Sequence, residues 1–126
     1  MEPRNTNPNS FTVNRESPRS RDRAAVPLGG DSLVHGVYVL YSLKDRKLYI
    51  GYTADLKRRL SEHNRGESAS TAPRRPLRLL FGEHYISKKD AQRRERYFKT
   101  TAGKRALRLM LKDSLLQAAD WTRESS

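Results

Sequence analysis

The stretch GVYVLYSLKDRKLYIGYT at 36–53 decides the fold of this chain. Two runs of β-branched and aromatic residues, at 36–43 and 47–52, flank a short polar segment, and this pattern predicts a β-hairpin. A hairpin loop of two or four residues here pairs positions whose numbers sum to 91, so even positions of the first strand share a face with odd positions of the second. Tyr38 and Tyr49 are therefore expected on one face, roughly 13 Å apart along the strands at about 3.3 Å per residue.

A helix is predicted directly after the hairpin. The segment ADLKRRLSEHNR at 54–65 has leucines at helical spacing, with Thr53 or Asp55 near the N-cap. Gly66 is expected to end this helix in the left-handed conformation. His63 falls at the next position of the leucine spacing, and Arg59 lies four residues before it, so both polar side chains are expected to border the buried stripe.

The next segments predict a loop, a third strand and a second helix. Polar composition marks 67–76 as a loop, and alternating apolar residues in LRLLFGEHY at 77–85 predict a strand that pairs with the hairpin. Ser87 begins a capping-box-like S-K-K-D, which starts a helix running to about Thr100. Glu95 falls on the apolar stripe of this helix, and a carboxylate there is costly unless it is paired or bound to a metal.

The remaining sequence completes an α+β domain. The segment KRALRLMLKDSLLQAA after Gly103 predicts a third amphipathic helix. We therefore expect a small three-stranded antiparallel sheet flanked by about three helices, in a domain at 33–115. Residues 1–32 are rich in Pro, Asn, Ser and Arg without an apolar period, and predict a disordered leader. Residues 116–126 are assigned to a C-terminal tail.

Charge is concentrated in the predicted domain. The chain of 126 residues has 26 Lys and Arg against 14 Asp and Glu, a formal charge of +12, and residues 32–113 hold 20 basic and 8 acidic residues. A domain this positive points to a polyanionic partner such as nucleic acid. The absence of cysteine excludes a disulfide framework and a cysteine nucleophile. With no apolar run long enough for a membrane span and no signal peptide, we expect a soluble cytoplasmic protein that associates with the nucleoid through DNA.

An ordered set of residues resembles the GIY-YIG nuclease domain. The set comprises GVY at 36–38, YIG at 49–51, a helix with Arg59 and His63, and a later helix with Glu95. A valine stands in the first motif where the family name has isoleucine. Each tripeptide alone is a weak signal, whereas the whole ordered set is a strong one. The chain is most similar to the small stand-alone bacterial members, which are related to the catalytic domain of excision-repair and structure-specific nucleases.

This resemblance extends over 34–115 and implies an activity. It implies a GIY-YIG fold and metal-dependent hydrolysis of phosphodiester bonds at a single active site. Such hydrolysis requires a base for water, positive charge around the phosphate and a cation at the leaving oxygen. Residues suited to each task occur in the motif positions.

The motif positions imply a role for each catalytic residue. Glu95 is expected to bind Mg²⁺ or Mn²⁺, Arg59 to hold phosphate oxygens, and Tyr38 to act as general base or to orient water. Tyr49 would help to position water or phosphate, and His63 would accept a proton from Tyr38. Each residue also has a structural alternative: an ion pair with a neighbouring arginine for Glu95, surface charge for Arg59, and core packing for the tyrosines.

Further residues are expected to contact the nucleic-acid backbone, with an affinity that falls as salt rises. They lie on the helices and in the loop before the third strand: Arg58, Thr71, Arg74, Arg75, Lys88, Lys89, Arg93, Lys104 and Arg105.

The sequence therefore predicts a metal-dependent DNA endonuclease, structure-selective or weakly sequence-specific, that acts in repair or recombination. Two alternatives stay open. One is a non-catalytic nucleic-acid-binding module that retains the fold and its basic face. The other is a nuclease directed at RNA, because contacts to phosphate do not distinguish RNA from DNA.

Overall fold

The computed structural model describes residues 32–125, so the predicted leader lies outside the described residues except for its last position. The described elements, in chain order, are strand β1 (His35–Ser42), strand β2 (Leu48–Thr53), helix α1 (Leu56–Asn64), a 3₁₀ helix (Ala72–Arg74), strand β3 (Leu77–Tyr85), helix α2 (Lys88–Phe98), helix α3 (Thr101–Met110) and helix α4 (Lys112–Ser125).

The three strands form one antiparallel sheet in the order β2-β1-β3. The central strand β1 is buried from its second residue to its last. Its near-continuous run of apolar and aromatic residues follows from this position, because a central strand covered on both faces has no solvent-facing side. The α+β fold with a three-stranded antiparallel sheet is confirmed.

The register of the β1–β2 hairpin differs from the prediction by two positions. Tyr38 pairs with Gly51 and Leu40 with Tyr49, so paired numbers sum to 89 rather than 91. The four-residue loop begins one residue earlier than expected because the side chain of Ser42 organises the turn: its Oγ accepts hydrogen bonds from the backbone N–H groups of Lys44 and Asp45. A shift of two positions leaves each side chain on the face that was predicted, so Tyr38 and Tyr49 do share a face. They are two positions apart along the strands instead of four.

The two faces of the sheet are covered by different helices. On one face, Tyr38 and Leu40 of β1 pack with the leucines of α1. On the other face, Val37 and Val39 pack with α2 and α3 through Phe98 and other buried apolar residues. Successive residues of a strand point to opposite faces, and β1 therefore serves both cores. The tyrosine-bearing face is the one that α1 covers.

The predicted helix boundaries follow local capping signals. The side chain of Asp55 accepts a hydrogen bond from the backbone N–H of Arg58 and caps α1. Gly66 has φ of +77°, the left-handed conformation that glycine adopts without steric cost. Ser87 caps α2 through the N–H of Asp90. The caps at Asp55 and Ser87 and the stop at Gly66 agree with the prediction.

The C-terminal part of the chain differs from the expectation. The single predicted third helix is two helices, separated at Leu111, and α4 continues through the residues assigned to a tail. Ala118 on α4 is fully buried. The ring of Trp121 lies 6.0 Å from that of Tyr41, and the guanidinium carbon of Arg78 lies 4.0 Å from the centre of the Trp121 ring. These contacts hold α4 against β1 and β3. Within the described residues, no helix has the length and apolarity that crossing a bilayer requires.

Candidate active site

Tyr38 lies in the middle of the sheet and is 1% exposed. It is paired with Gly51 on one neighbouring strand and with Gly82 on the other. Its ring crosses Gly51 so closely that a Cβ added there would lie 2.5 Å from the Tyr38 hydroxyl oxygen. The glycine of YIG is therefore needed to leave room for the tyrosine ring. Sequence reasoning did not assign this role to Gly51, although a glycine inside a strand often marks such a close approach.

Replacing Gly51 with alanine is expected to destabilise the protein by roughly 1–3 kcal/mol, because overpacking forces the ring or the strand to move. Gly82→Ala is the matched control: it places the same methyl group opposite the same tyrosine, where the nearest atoms lie at 3.8 Å. Urea denaturation of both variants measures the difference in the free energy of unfolding. Equal stability of the two variants would contradict this account of Gly51.

A buried hydrogen-bond chain runs from Tyr38 through His63 to Thr71. The Tyr38 hydroxyl lies 2.9 Å from Nε2 of His63, and Nδ1 of His63 lies 2.7 Å from Oγ1 of Thr71. A neutral imidazole donates at one nitrogen and accepts at the other. When the Tyr38 hydroxyl donates to Nε2, the proton of His63 resides on Nδ1 and is donated to Thr71. His63 and Thr71 are both fully buried, so the end of the chain that they form is shielded from bulk water.

The position of Thr71 corrects its predicted role. Thr71 was expected to contact nucleic-acid backbone, but its side chain is 0% exposed and its hydroxyl is bonded to His63. The loop turns inward here, with the N–H of Thr71 donating to the carbonyl of Ser68, and the 3₁₀ helix begins immediately afterwards. The polar composition of 67–76 predicts a loop and gives no sign that one threonine of it is buried.

Tyr49 and Arg59 complete the group around Tyr38. The ring of Tyr49 lies 6.3 Å from that of Tyr38 and 5.3 Å from that of His63, measured between ring centres. Nη1 of Arg59 pairs with the carboxylate of Glu62 at 2.9 Å. The Arg59 side chain remains 31% exposed, and its guanidinium affects the pKa of Tyr38. The structure thus brings Tyr38, Tyr49, Arg59 and His63 together.

The protonation states of Tyr38 and His63 are set mainly by burial. Burial raises the pKa of Tyr38 to about 12, and the neighbouring guanidinium of Arg59 opposes this rise. Burial also lowers the pKa of His63 below its ordinary 6.5, and the positive charge of Arg59 lowers it further. At neutral pH the phenol therefore keeps its proton and the imidazole is neutral. Nε2 of His63 is then available as an acceptor.

Glu95 lies on α2, which packs on the face of the sheet opposite Tyr38. Its side chain is 21% exposed and accepts a hydrogen bond from Nζ of Lys99 at 2.9 Å. The structural alternative for Glu95 was an ion pair with a neighbouring arginine. Glu95 does form an ion pair, but its partner is Lys99. Burial is the main cause of the raised pKa of Tyr38, and the negative charge of Glu95 adds to it.

The donors present fit a cation that keeps much of its water. In the part of the chain that the structure describes, no three His, Cys, Asp or Glu side chains are grouped to hold a metal ion. Mg²⁺ is commonly bound by one or two carboxylates, with waters and substrate phosphates in its remaining positions. Glu95 alone meets that requirement. Its ion pair with Lys99 lies near the surface, where such pairs contribute at most about 1 kcal/mol.

The predicted backbone-binding cations fall into two groups. Three are paired with carboxylates: Arg58 with Glu62 at 3.7 Å, Arg74 with Asp45 at 2.8 Å, and Arg93 with Asp90 at 2.9 Å. The others are exposed and have no ion pair among the described side chains: Arg75, Lys88, Lys89, Lys104 and Arg105. Arg74 has a structural role, because its ion pair with Asp45 joins the 3₁₀ helix to the hairpin loop.

The fold and this group of side chains define a nuclease-like α+β module. The GIY-YIG catalytic domain matches the chain over residues 34–108. The chain belongs to the GIY-YIG family, and its relatives are UPF0213 proteins, which are stand-alone members of that family.

Three relatives illustrate the similarity. A UPF0213 protein of Streptococcus agalactiae is 48% identical over 64 residues, which cover 50% of this chain and 72% of that protein. A UPF0213 protein of Staphylococcus aureus is 40% identical over 77 residues, covering 60% of this chain and 93% of that protein. The solution NMR structure of a UPF0213 protein from Bacillus halodurans is 37% identical, with a TM-score of 0.40, and the match covers 60% of this chain and 83% of that one.

Proposed function

We propose that this protein is an endonuclease that hydrolyses phosphodiester bonds in nucleic acid, with DNA as the preferred substrate. The observation that carries the proposal is the buried chain from Tyr38 through His63 to Thr71, beside the partly exposed guanidinium of Arg59. Such a chain gives a proton a defined path away from the reaction centre. Family membership supports the same chemistry.

The raised pKa of Tyr38 indicates how the water is activated. A phenol with a pKa of about 12 is almost never ionised at neutral pH, so it does not act as a preformed base. Instead, its oxygen takes a proton from water while its own proton passes to Nε2 of His63, 2.9 Å away. The imidazole becomes positively charged, and its Nδ1–H stays bonded to Thr71. His63 is then the final acceptor and Tyr38 the relay.

Arg59 and Tyr49 are suited to the phosphate. A guanidinium is always charged at physiological pH and holds two oxygens of a phosphate in its planar fork. Arg59 is oriented by Glu62 and donates to Oγ of Ser68 at 3.3 Å, so its position is fixed before substrate arrives. Tyr49, next to both Tyr38 and His63, positions the attacking water or a phosphate oxygen.

Glu95 is the residue that would hold Mg²⁺ or Mn²⁺. When bound there, the cation supplies positive charge to the phosphate and to the leaving oxygen. Lys99, the present partner of Glu95, has a long exposed side chain that can turn away. Its departure costs little because the pair lies near solvent.

The kinds of contact available suggest selection by nucleic-acid shape. The exposed cations around the domain are phosphate-binding side chains, and such contacts position the substrate without reading bases. We therefore propose a structure-selective or weakly sequence-specific enzyme with a role in repair or recombination, located at the nucleoid through its DNA.

A panel of labelled substrates tests the proposal. Single strands, duplexes, flaps, forks and four-way junctions, with RNA equivalents, are incubated with Mg²⁺, Mn²⁺ or EDTA. Metal-dependent cutting that is lost in Glu95→Gln supports the nuclease. Salt-sensitive binding without cutting under any metal contradicts the nuclease and favours the non-catalytic module. The ion pair of Glu95 with Lys99 is compatible with that module, because a carboxylate in a structural pair needs no metal. Preferential cutting of RNA would favour the RNA-directed alternative.

Replacing Thr71 with valine is expected to lower the cleavage rate about tenfold. Valine has a similar shape but cannot accept the Nδ1–H of His63, so the imidazole is free to place its proton on Nε2 and block the relay. Nitrogen-15 NMR of the imidazole measures the tautomer directly, without reference to activity. Thr71→Ser keeps the hydroxyl and should retain the tautomer. An unchanged tautomer in the valine variant would count against this role.

A further inference from the structure

Strand β2 borders a basic groove on the face opposite Tyr49. The groove has a volume of about 260 Å³ and is lined by three cations and three aliphatic residues: Lys47, Leu48, Ile50, Lys104, Leu107 and Arg108. We infer that it binds the sugar–phosphate backbone of the substrate on one side of the scissile bond. This inference rests on the proposed nuclease function and adds a defined path for the nucleic acid across the domain.

The charges around the groove are arranged for an anion. Lys104 and Arg108 lie one turn apart on α3, a spacing at which like charges repel each other. Lys47 reaches the same groove from the hairpin loop. None of the three has an ion pair within the described side chains, and no acidic residue lines the groove. Bound phosphate would relieve the repulsion among these three cations.

The groove floor complements the rest of a nucleotide backbone. Leu107 is fully buried and Ile50 is 7% exposed, whereas Leu48 is only partly buried, so Leu48 offers the main aliphatic surface that a ligand in the groove can contact. A sugar ring can pack on Leu48 while its flanking phosphates reach the charged ends of the lysines and the arginine. A small inorganic anion would use only the charges and leave Leu48 exposed to water.

The position of the groove connects it to the candidate active site. Tyr49 lies between Leu48 and Ile50 on β2, and alternation along the strand directs these two neighbours to the face opposite Tyr49. Strand β2 is an edge of the sheet. A nucleic-acid strand that passes around this edge therefore meets Tyr49 on one side and the three cations on the other.

A larger groove elsewhere provides the comparison. It has a volume of about 520 Å³ and includes Lys44 and Arg75 among its lining residues. It contains two cations rather than three, and it lies beside the end of α1 and the loop before β3, with no residue of β2 in its lining. We therefore place the backbone in the groove beside β2.

Paired variants test this placement. Lys47→Gln with Lys104→Gln removes two charges from the groove, and Lys44→Gln with Lys112→Gln removes two from the same hairpin loop and the next helix. The affinity of each full-length variant for a fluorescent DNA duplex is measured in EDTA at several salt concentrations. We expect the groove variant to bind about tenfold more weakly and to lose about 2 from the slope of log affinity against log salt. The control variant should stay within about twofold of the wild type, and arginine at positions 47 and 104 should restore binding.

The outcomes separate this inference from the proposed function. Equal losses in the groove and control variants would overturn the groove and indicate diffuse attraction. If the wild type cuts DNA and the groove variant binds like the wild type, the groove alone is overturned. If the groove variant loses affinity while the wild type cuts nothing under any metal, the nuclease proposal fails and the binding site stands. In an active enzyme, the groove variant should raise KM and leave kcat unchanged.

Discussion

Glu95→Gln is expected to reduce nucleic-acid cleavage by about 1,000-fold or more. The amide keeps the size of the side chain but is a weak ligand for a hard cation, and several kcal/mol of transition-state stabilisation depend on that cation. Binding should be unchanged or slightly tighter, because a negative charge near a polyanion has been removed. Single-turnover cleavage and anisotropy measured on the same substrate separate the two effects.

The control for Glu95 is Glu67→Gln, which makes the same change in an exposed ion pair with Arg65. This variant should cut at the wild-type rate. The Glu95 variant should remain folded, since its ion pair with Lys99 is worth at most about 1 kcal/mol. Equal losses of cleavage and binding in Glu95→Gln would contradict a metal-binding role.

Tyr38→Phe is expected to slow cleavage by roughly 10²- to 10⁴-fold, the usual contribution of general acid–base catalysis. Only the hydroxyl is removed, so the ring still fills the space over Gly51 and the sheet stays intact. Nε2 of His63 loses its partner, at a cost of about 1–3 kcal/mol for an unsatisfied buried group. Tyr41→Phe, the same change three residues along β1, is the control.

The pH dependence of cleavage provides a second measurement on the relay. Burial lowers the pKa of His63 below 6.5, so the imidazole is neutral above that pH, as the proposed relay from Tyr38 requires. As pH falls through that pKa, the imidazole becomes protonated and the cleavage rate should fall. The residual activity of Tyr38→Phe should lack this dependence. If the cleavage rates of the wild type and of Tyr38→Phe fell in the same way at low pH, His63 would not be the proton acceptor.

Local signals in the sequence predicted the parts of the fold that depend on neighbouring residues. The hairpin, the cap at Asp55, the stop at Gly66 and the cap at Ser87 each depend on a few adjacent positions. The hairpin register could not be predicted in this way, because it depends on which residue organises the turn. Ser42 does so with its side chain, and composition does not distinguish it from the next positions.

Long-range packing accounts for what the sequence did not predict. Thr71 is buried because the loop containing it folds back onto His63, eight residues away in sequence. Helix α4 is ordered by contacts with β1 and β3, and its own sequence is polar enough to be interpreted as a tail. The motif residues did indicate Tyr38, Tyr49, Arg59 and His63 as a group. Their spacing alone contained no information on the distances between them.

The fluorescence of Trp121 on α4 is expected to report whether this helix is packed against the sheet. Trp121 is the only tryptophan in the chain, and it is held between Tyr41 and the guanidinium of Arg78. Release of the helix would transfer the indole from this contact into water and change its emission. Tryptophan fluorescence therefore follows one junction of the structure, where the last helix meets the sheet.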